Sequence, residues 1–174
     1  GTSGANPPLL GAETIAMGNA KAEHINLDLY NSQMADSITE LEGYMALGAD
    51  EVITDRELGS TVLKPGVYTT ETFFTLSGTL TLDGENNVDS VFIIRTPKYI
   101  SASAGGSVNL INGASAEKVF FVTGSYFSAG AGAKVQGNIM ATSYATLGAG
   151  STFGGNIFSK DGYITLGANV HEVP

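Results

Sequence analysis

Two hydrophobic periods divide this chain. Leu27, Tyr30, Met34, Ile38, Leu41 and Met45 fall 3, 4, 4, 3 and 4 residues apart, which makes one apolar stripe along one helix. Asn26 is placed to cap its start, with Asp28 in the first turn, and Gly48 is placed to cap its end. A shorter helical stretch is expected at Ala12–Glu23. Gly1 to Leu10 reads as an irregular arm, because Gly4, Pro7 and Pro8 forbid regular structure there. After Asp55 the period drops to two. Lys64-Pro65-Gly66 turns into a strand, and the runs from Phe73 and Thr79 each have one apolar face. The runs Val91–Ile94 and Val119–Val122 are apolar on both faces, so something must cover both sides. The helix, lying along these strands with its stripe inward, meets that need.

A decaying repeat governs the second half. Runs of the form Tyr-x-x-x-Gly begin at Tyr126, Tyr144 and Tyr163, spaced 18 and then 19 residues apart. The first two lead into matching partners, Gly137-Asn138-Ile139 and Gly155-Asn156-Ile157. A period of this length, with alternating apolar positions and glycines at fixed offsets, predicts a β-solenoid whose coils each hold three short strands. The fold class expected is therefore mainly β: an irregular three-faced solenoid with one long α-helix packed along one face. The expected organisation is an arm over 1–11 and a single domain over 12–174, helical over about 12–48 and solenoid over about 55–174.

Alignment of the coils assigns faces. With Ile100, Phe127, Ala145 and Ile164 inside, Tyr99, Tyr126, Tyr144 and Tyr163 form an outward ladder with Phe73 above it. Beside it run Thr75, Ser101, Ser128, Thr146 and Thr165. The next strand of each coil supplies Thr79, Ser107, Lys134, Thr152 and Asn169, then Thr81, Asn109, Gln136 and Gly154. Between the two ladders a corner repeats as Ala104-Gly105-Gly106-Ser107, Ala131-Gly132-Ala133-Lys134 and Ala149-Gly150-Ser151-Thr152. Two faces are thus free of the helix. The tyrosine ladder has two readings: stacking that holds neighbouring coils together, or an aromatic docking surface.

Composition narrows the function. A net charge of −9 with no basic cluster argues against nucleic acid and anionic membranes, and no apolar run approaches a membrane helix. No signal-peptide pattern opens the sequence, so the chain is expected to be cytosolic or already processed. Charged residues make up 14%, against about 25% in an average domain, and this Ser/Thr/Gly/Asn-rich surface suits a secreted or cell-surface protein. The absence of Cys removes disulfides, thiolate metal sites and thiol catalysis. His24 and His171 are the two histidines, too few for a zinc site. The loop Asp83–Asp89 carries three carboxylates that suit weak Ca²⁺ binding, but it reads foremost as a turn. Asp50, Glu51, Asp55 and Glu57 read as a solvated connection after the helix. No phosphate loop or nucleophile elbow is present, so neither an enzyme, a cofactor nor a metal site is expected.

These residues resemble the microbial ice-binding protein family. The resemblance is carried by Leu63–Tyr68, Leu76–Asp83, Val91–Ile94, Val108–Ala114, Lys118–Phe121, Thr146–Phe153 and Gly155–Ile157, and covers roughly Thr14 to the end. It implies a solenoid with a long helix alongside and adsorption to ice through a flat free face. Family members usually carry solenoid strands before the helix, and these are missing from this sequence. Active members often show a corner of the type Thr-Gly/Ala-x-Thr/Asn; here Ala104, Ala131 and Ala149 hold the first position and Lys134 one of the last. Short, stiff side chains on a β grid suit an ordered water layer, Thr best of all because its χ1 is restricted. The ice-contact candidates are Thr79, Thr81, Ala104, Ser107, Asn109, Ala131, Ala149 and Thr152. A second candidate face is Thr75, Ser101, Ser128, Thr146 and Thr165. The same residue types are also ordinary solvent-facing strand and corner residues. The alternative function is an extracellular structural or adhesive subunit that self-associates through exposed solenoid ends or its arm.

Overall fold

A computed structural model describes residues 27–172. The arm, the stretch Ala12–Glu23 and the Asn26 cap lie outside the described residues. Helix α1 (Leu27–Ala46) leads into six coils. The first holds β1 (Glu51–Val52) and β2 (Val62–Leu63), the second β3 (Gly66–Thr69), β4 (Phe74–Leu76) and β5 (Thr79–Asp83). The third holds β6 (Phe92–Thr96), β7 (Ile100–Ala102) and β8 (Ser107–Ile111); the fourth β9 (Val119–Thr123), β10 (Tyr126–Ala129) and β11 (Lys134–Gln136). The fifth holds β12 (Asn138–Ala141), β13 (Tyr144–Leu147) and β14 (Thr152–Gly154); the last β15 (Ile157–Ser159), β16 (Ile164–Leu166) and β17 (His171–Glu172).

Like strands of successive coils pair in parallel and build three sheets. The first is β1-β3-β6-β9-β12-β15, the second β4-β7-β10-β13-β16 and the third β2-β5-β8-β11-β14-β17. The first coil joins the second sheet through a single bridge, Glu57 to Thr75. Apolar side chains at equivalent positions of successive coils stack one above another, so the interior fills with columns. Phe74, Ile100, Phe127, Ala145 and Ile164 form one, Tyr68, Ile94, Phe121, Ile139 and Ile157 another.

The first sheet is apolar on both faces, and the helix covers its outer side. Met34, Ile38, Leu41, Tyr44 and Met45 pack on Val67, Ile93, Phe120, Val122, Met140 and Phe158. Burying Leu41, 2% exposed, is worth about 1.5–3 kcal/mol. Gly48 does not cap this helix in the left-handed conformation. Arg95 of β6 does the work instead: its guanidinium donates to the carbonyls of Met45 and Leu47, placing a cation where the helix dipole is negative. Local spacing does not reveal this cap, because it arrives from a strand about fifty residues on.

The solenoid begins at Glu51, earlier than the expected boundary near 55. The acidic residues there are structural. The Asp50 carboxylate accepts from the Val67 N–H at 2.8 Å, and Glu57 accepts from the Gly59 and Ser77 N–H groups at 2.6 and 2.8 Å and from the Thr75 hydroxyl at 3.0 Å. Partial burial pushes the Glu57 carboxyl up, but these donors outweigh it and hold it below the usual carboxylate range. The carboxylates of the loop Asp83–Asp89 are separately engaged: Glu85 with Lys64, Asp89 with Lys118, Asp83 with Asn112.

Candidate functional site

The two free sheets differ in regularity. In the second, Thr75, Ser101, Ser128, Thr146 and Thr165 stand in one unbroken register over five strands. Their column is uncharged, and only Thr75 has its hydroxyl engaged among the described residues. Two residues earlier in each coil stand Phe73, Tyr99, Tyr126, Tyr144 and Tyr163. Their ring centroids are 4.7, 4.8, 4.9 and 5.2 Å apart and their planes within 10° of parallel. Burial first, and the neighbouring Tyr99 and Tyr144 second, push the Tyr126 phenol above its ordinary value. The Arg56 guanidinium lies 4.9 Å over the Phe73 ring and closes the top of the column.

The third sheet carries the column Thr79, Ser107, Lys134, Thr152 and His171. Its last member is His171 and not Asn169. Asn169 has φ 56° and occupies the left-handed corner that Gly105, Gly132 and Gly150 fill in the coils above, at φ 74°, 67° and 68°. Counting from the glycine repeat slipped by two residues because an Asn can also adopt that conformation. Thr79 and Ser107 share a hydrogen bond of 2.8 Å. Below them the exposed Lys134 breaks the run of hydroxyls. Between β8 and β11 only Lys134 and Ser107 are in register, so Asn109 and Gln136 are not paired as Thr81 and Asn109 are. The candidates Thr79, Thr81, Ser107, Asn109 and Thr152 are therefore on one sheet, but split by a cation and a broken register.

The corner joining the two sheets is the more regular feature. Ala104, Ala131 and Ala149 are exposed and stack in step with Ala168. The N–H groups of Gly105, Gly132 and Gly150 donate to the carbonyls of Ala131, Ala149 and Ala168 at 3.1, 3.0 and 2.9 Å. Just before this row Ser103, Gly130, Gly148 and Gly167 form a column that alignment by hydroxyls missed. A Cβ on Gly130, Gly148 or Gly167 would lie within 2.6 Å of the backbone nitrogen of the alanine in the coil above. The fifth residue of each Tyr-x-x-x-Gly run carried that signal. Together the Thr/Ser column, the Ser/Gly column and the alanine corner make a strip of short side chains. The aromatic column bounds it on one side and the Thr79–His171 column on the other.

The chain is thus a β-solenoid with a helix on one face and an uncharged, repetitive strip on another, and known proteins of the same build give its class. The family model described as Ice-binding-like matches residues 2–172, and the chain belongs to that family, which is not an enzyme family. Ice-binding protein 1 of Shewanella frigidimarina (strain NCIMB 400) is 39% identical over 115 residues, covering 65% of this chain and 13% of that protein. The ice-binding protein of Nostoc sp. (strain HG1) is 30% identical over 135 residues, covering 77% of this chain. This chain matches half of the Nostoc protein's length, 50%. Among solved structures, a domain of the Shewanella frigidimarina ice-binding protein superposes with TM-score 0.78 at 29% identity, over 88% of this chain and 67% of that one. An ice-binding protein of the Antarctic ascomycete Antarctomyces psychrotrophicus gives 0.79 at 29%, over 85% and 72%. Among the described residues no helix is long and apolar enough to cross a membrane.

Proposed function

We propose that this chain adsorbs to ice through the strip formed by Thr75, Ser101, Ser128, Thr146 and Thr165, the Ser/Gly column beside them, and the alanine corner Ala104, Ala131 and Ala149. One observation carries the reading: five hydroxyl rows in continuous parallel register, uncharged and bordered on the corner side by equally short side chains. Strand spacing sets the rows ~4.7–4.9 Å apart, and hydrogen-bonded coils hold them there. Adsorption then costs little conformational entropy, because Thr, Ser, Ala and Gly have few rotamers to lose. Methyl groups and hydroxyls alternating on such a grid can hold a layer of water in the pattern of a growing crystal. Thr79, Thr81, Ser107, Asn109 and Thr152 border the strip and are secondary contacts, limited by Lys134.

The working environment proposed is outside the cell, as a secreted or surface-attached domain, a reading that family membership and the low charge content support, and no catalytic role is proposed. The adsorption reading is tested by growing ice in a nanolitre droplet of purified protein. Faceted crystals and a gap between melting and growth temperatures are expected. Round discs at millimolar protein would overturn it.

A further inference from the structure

We infer that the stacked aromatic column Phe73, Tyr99, Tyr126, Tyr144 and Tyr163 is a positioning element for the ice strip, setting the interval at which its rows repeat; this rests on the adsorption reading above. Each ring is carried two residues before a strip hydroxyl, on the strand or immediately before it: Phe73 before Thr75, Tyr99 before Ser101, Tyr126 before Ser128, Tyr144 before Thr146, Tyr163 before Thr165. Ring and hydroxyl are two residues apart in each of five coils, so the pitch of one column is the pitch of the other. The rings repeat at 4.7, 4.8 and 4.9 Å over the first three steps, the natural separation of paired strands. Parallel planes at that centroid distance lie in the favourable range for offset stacking. The strip's own side chains are too short to brace one another. Below Thr75 their hydroxyls have no partner among the described residues, so on the outer face of this sheet the rings are what ties row to row, as the buried columns do on its inner face.

Two further observations separate positioning from contact. The top member is Phe73, which has no hydroxyl, so what the column shares is the ring and not the phenol. The column and the strip are also anchored together at the first coil by adjacent residues. Arg56 sits over the Phe73 ring, and Glu57 accepts from the Thr75 hydroxyl and from the Ser77 N–H at the strip's edge. At the other end Tyr163 is 60% exposed and the last step widens to 5.2 Å. A lattice match over five rows is sensitive to pitch because any error accumulates from row to row.

The test compares wild type, Tyr126→Phe, Tyr126→Leu and Tyr163→Leu at the melting point of ice, with circular dichroism establishing that each is folded there. The readouts are the freezing gap and the crystal plane decorated by fluorescently labelled protein. Tyr126→Phe keeps the stack and is expected to match wild type. Tyr126→Leu breaks two stacks at the middle of the strip and is expected, while folded, to lose most of the freezing gap and to blur the decorated plane. A folded Tyr126→Leu with wild-type behaviour overturns the inference, since a merely stabilising ladder predicts that result. Loss of activity in Tyr126→Phe equal to that in Tyr126→Leu also overturns it, by making the phenols ice contacts. If Tyr126→Leu does not fold, Tyr163→Leu decides: a reduced gap supports the inference and an unchanged one overturns it. Failure of the adsorption reading is distinguishable, because wild type itself would then leave crystals round.

Discussion

Replacing Ser128 by tyrosine places one tall side chain at the middle of the hydroxyl column, third of the five rows. The column is about 20 Å long, four strand intervals of ~4.7–4.9 Å. A flat crystal front cannot touch row three's neighbours while resting on a ring that stands well above Ser and Thr. It loses roughly half the rows whichever way it tilts. Even if the whole strip supplied only ~3 kcal/mol, losing half would lower the adsorption constant by about tenfold, since ~1.4 kcal/mol is one decade. Stability should move by no more than ~0.5 kcal/mol, because Ser128 lies on the outer face and its hydroxyl has no hydrogen-bond partner among the described residues. The assay is partition of protein into a slowly growing ice hemisphere, alongside the freezing gap and a urea melt. Thr152→Tyr, on the neighbouring sheet, is the comparison and is expected to retain most activity. The reasoning is refuted if Ser128→Tyr partitions into ice like wild type while Thr152→Tyr does not, which would move the contact to the Thr79–His171 column.

Four further outcomes are expected. Asn138, 8% exposed, donates to the carbonyls of Ala116, Glu117 and Val119 and accepts from the Asn156 N–H and side-chain amide; Asn138→Ala should cost about 2–4 kcal/mol in urea unfolding, and a loss below ~1 kcal/mol would contradict the network's importance. The Thr123 hydroxyl is buried with no partner among the described residues, so Thr123→Val should be neutral or stabilise by ~1 kcal/mol; destabilisation would mean that an unseen partner holds it. Gly148→Ala would set a Cβ 2.6 Å from the Ala131 nitrogen and the Gly130 carbonyl carbon, both backbone, and should destabilise by about 1–3 kcal/mol in a thermal melt; an unchanged melt would show that the coils separate freely there. Burial raises the Tyr68 and Tyr126 phenols, so the fold favours their neutral forms: that contribution is complete below the ordinary phenol value and is lost as pH rises through the raised ones. Ultraviolet titration should therefore show late-ionising tyrosines whose ionisation accompanies loss of the β signal, and titration of every tyrosine at the free value in folded protein would contradict this.

Side-chain period and repeat length were enough to read most of the architecture. Met34, Ile38, Leu41 and Met45 at helical spacing, opposite strands apolar on both faces, left the helix one place to lie, because exposing Ile93, Val122, Met140 and Phe158 to water is costly. The Tyr-x-x-x-Gly runs likewise dictated the stacked rings and the hydroxyl column beside them, since equal offsets in a solenoid are equal positions in space. Where a corner admitted either Gly or Asn, that rule weakened, and Asn169 was counted onto the ladder that His171 occupies.

What tertiary structure alone decided were contacts whose partners are far apart along the chain or unequal in length. Arg95 replaces Gly48 as the helix cap because the fold brings β6 under the helix end, a proximity no local propensity encodes. Glu57 belongs to the first coil and not to a solvated linker, since only folding lines up the Gly59, Ser77 and Thr75 donors around it. The difference in regularity between two chemically similar free faces also lies there. Hydroxyl content could not separate them, whereas pairing could: register is continuous along Thr75–Thr165 and fails between Asn109 and Gln136. The amino-acid sequence determined which residues stack, because periodicity is a local property; whether the stacks make one unbroken plane depended on how coils of different length pack, and that is a property of the whole fold.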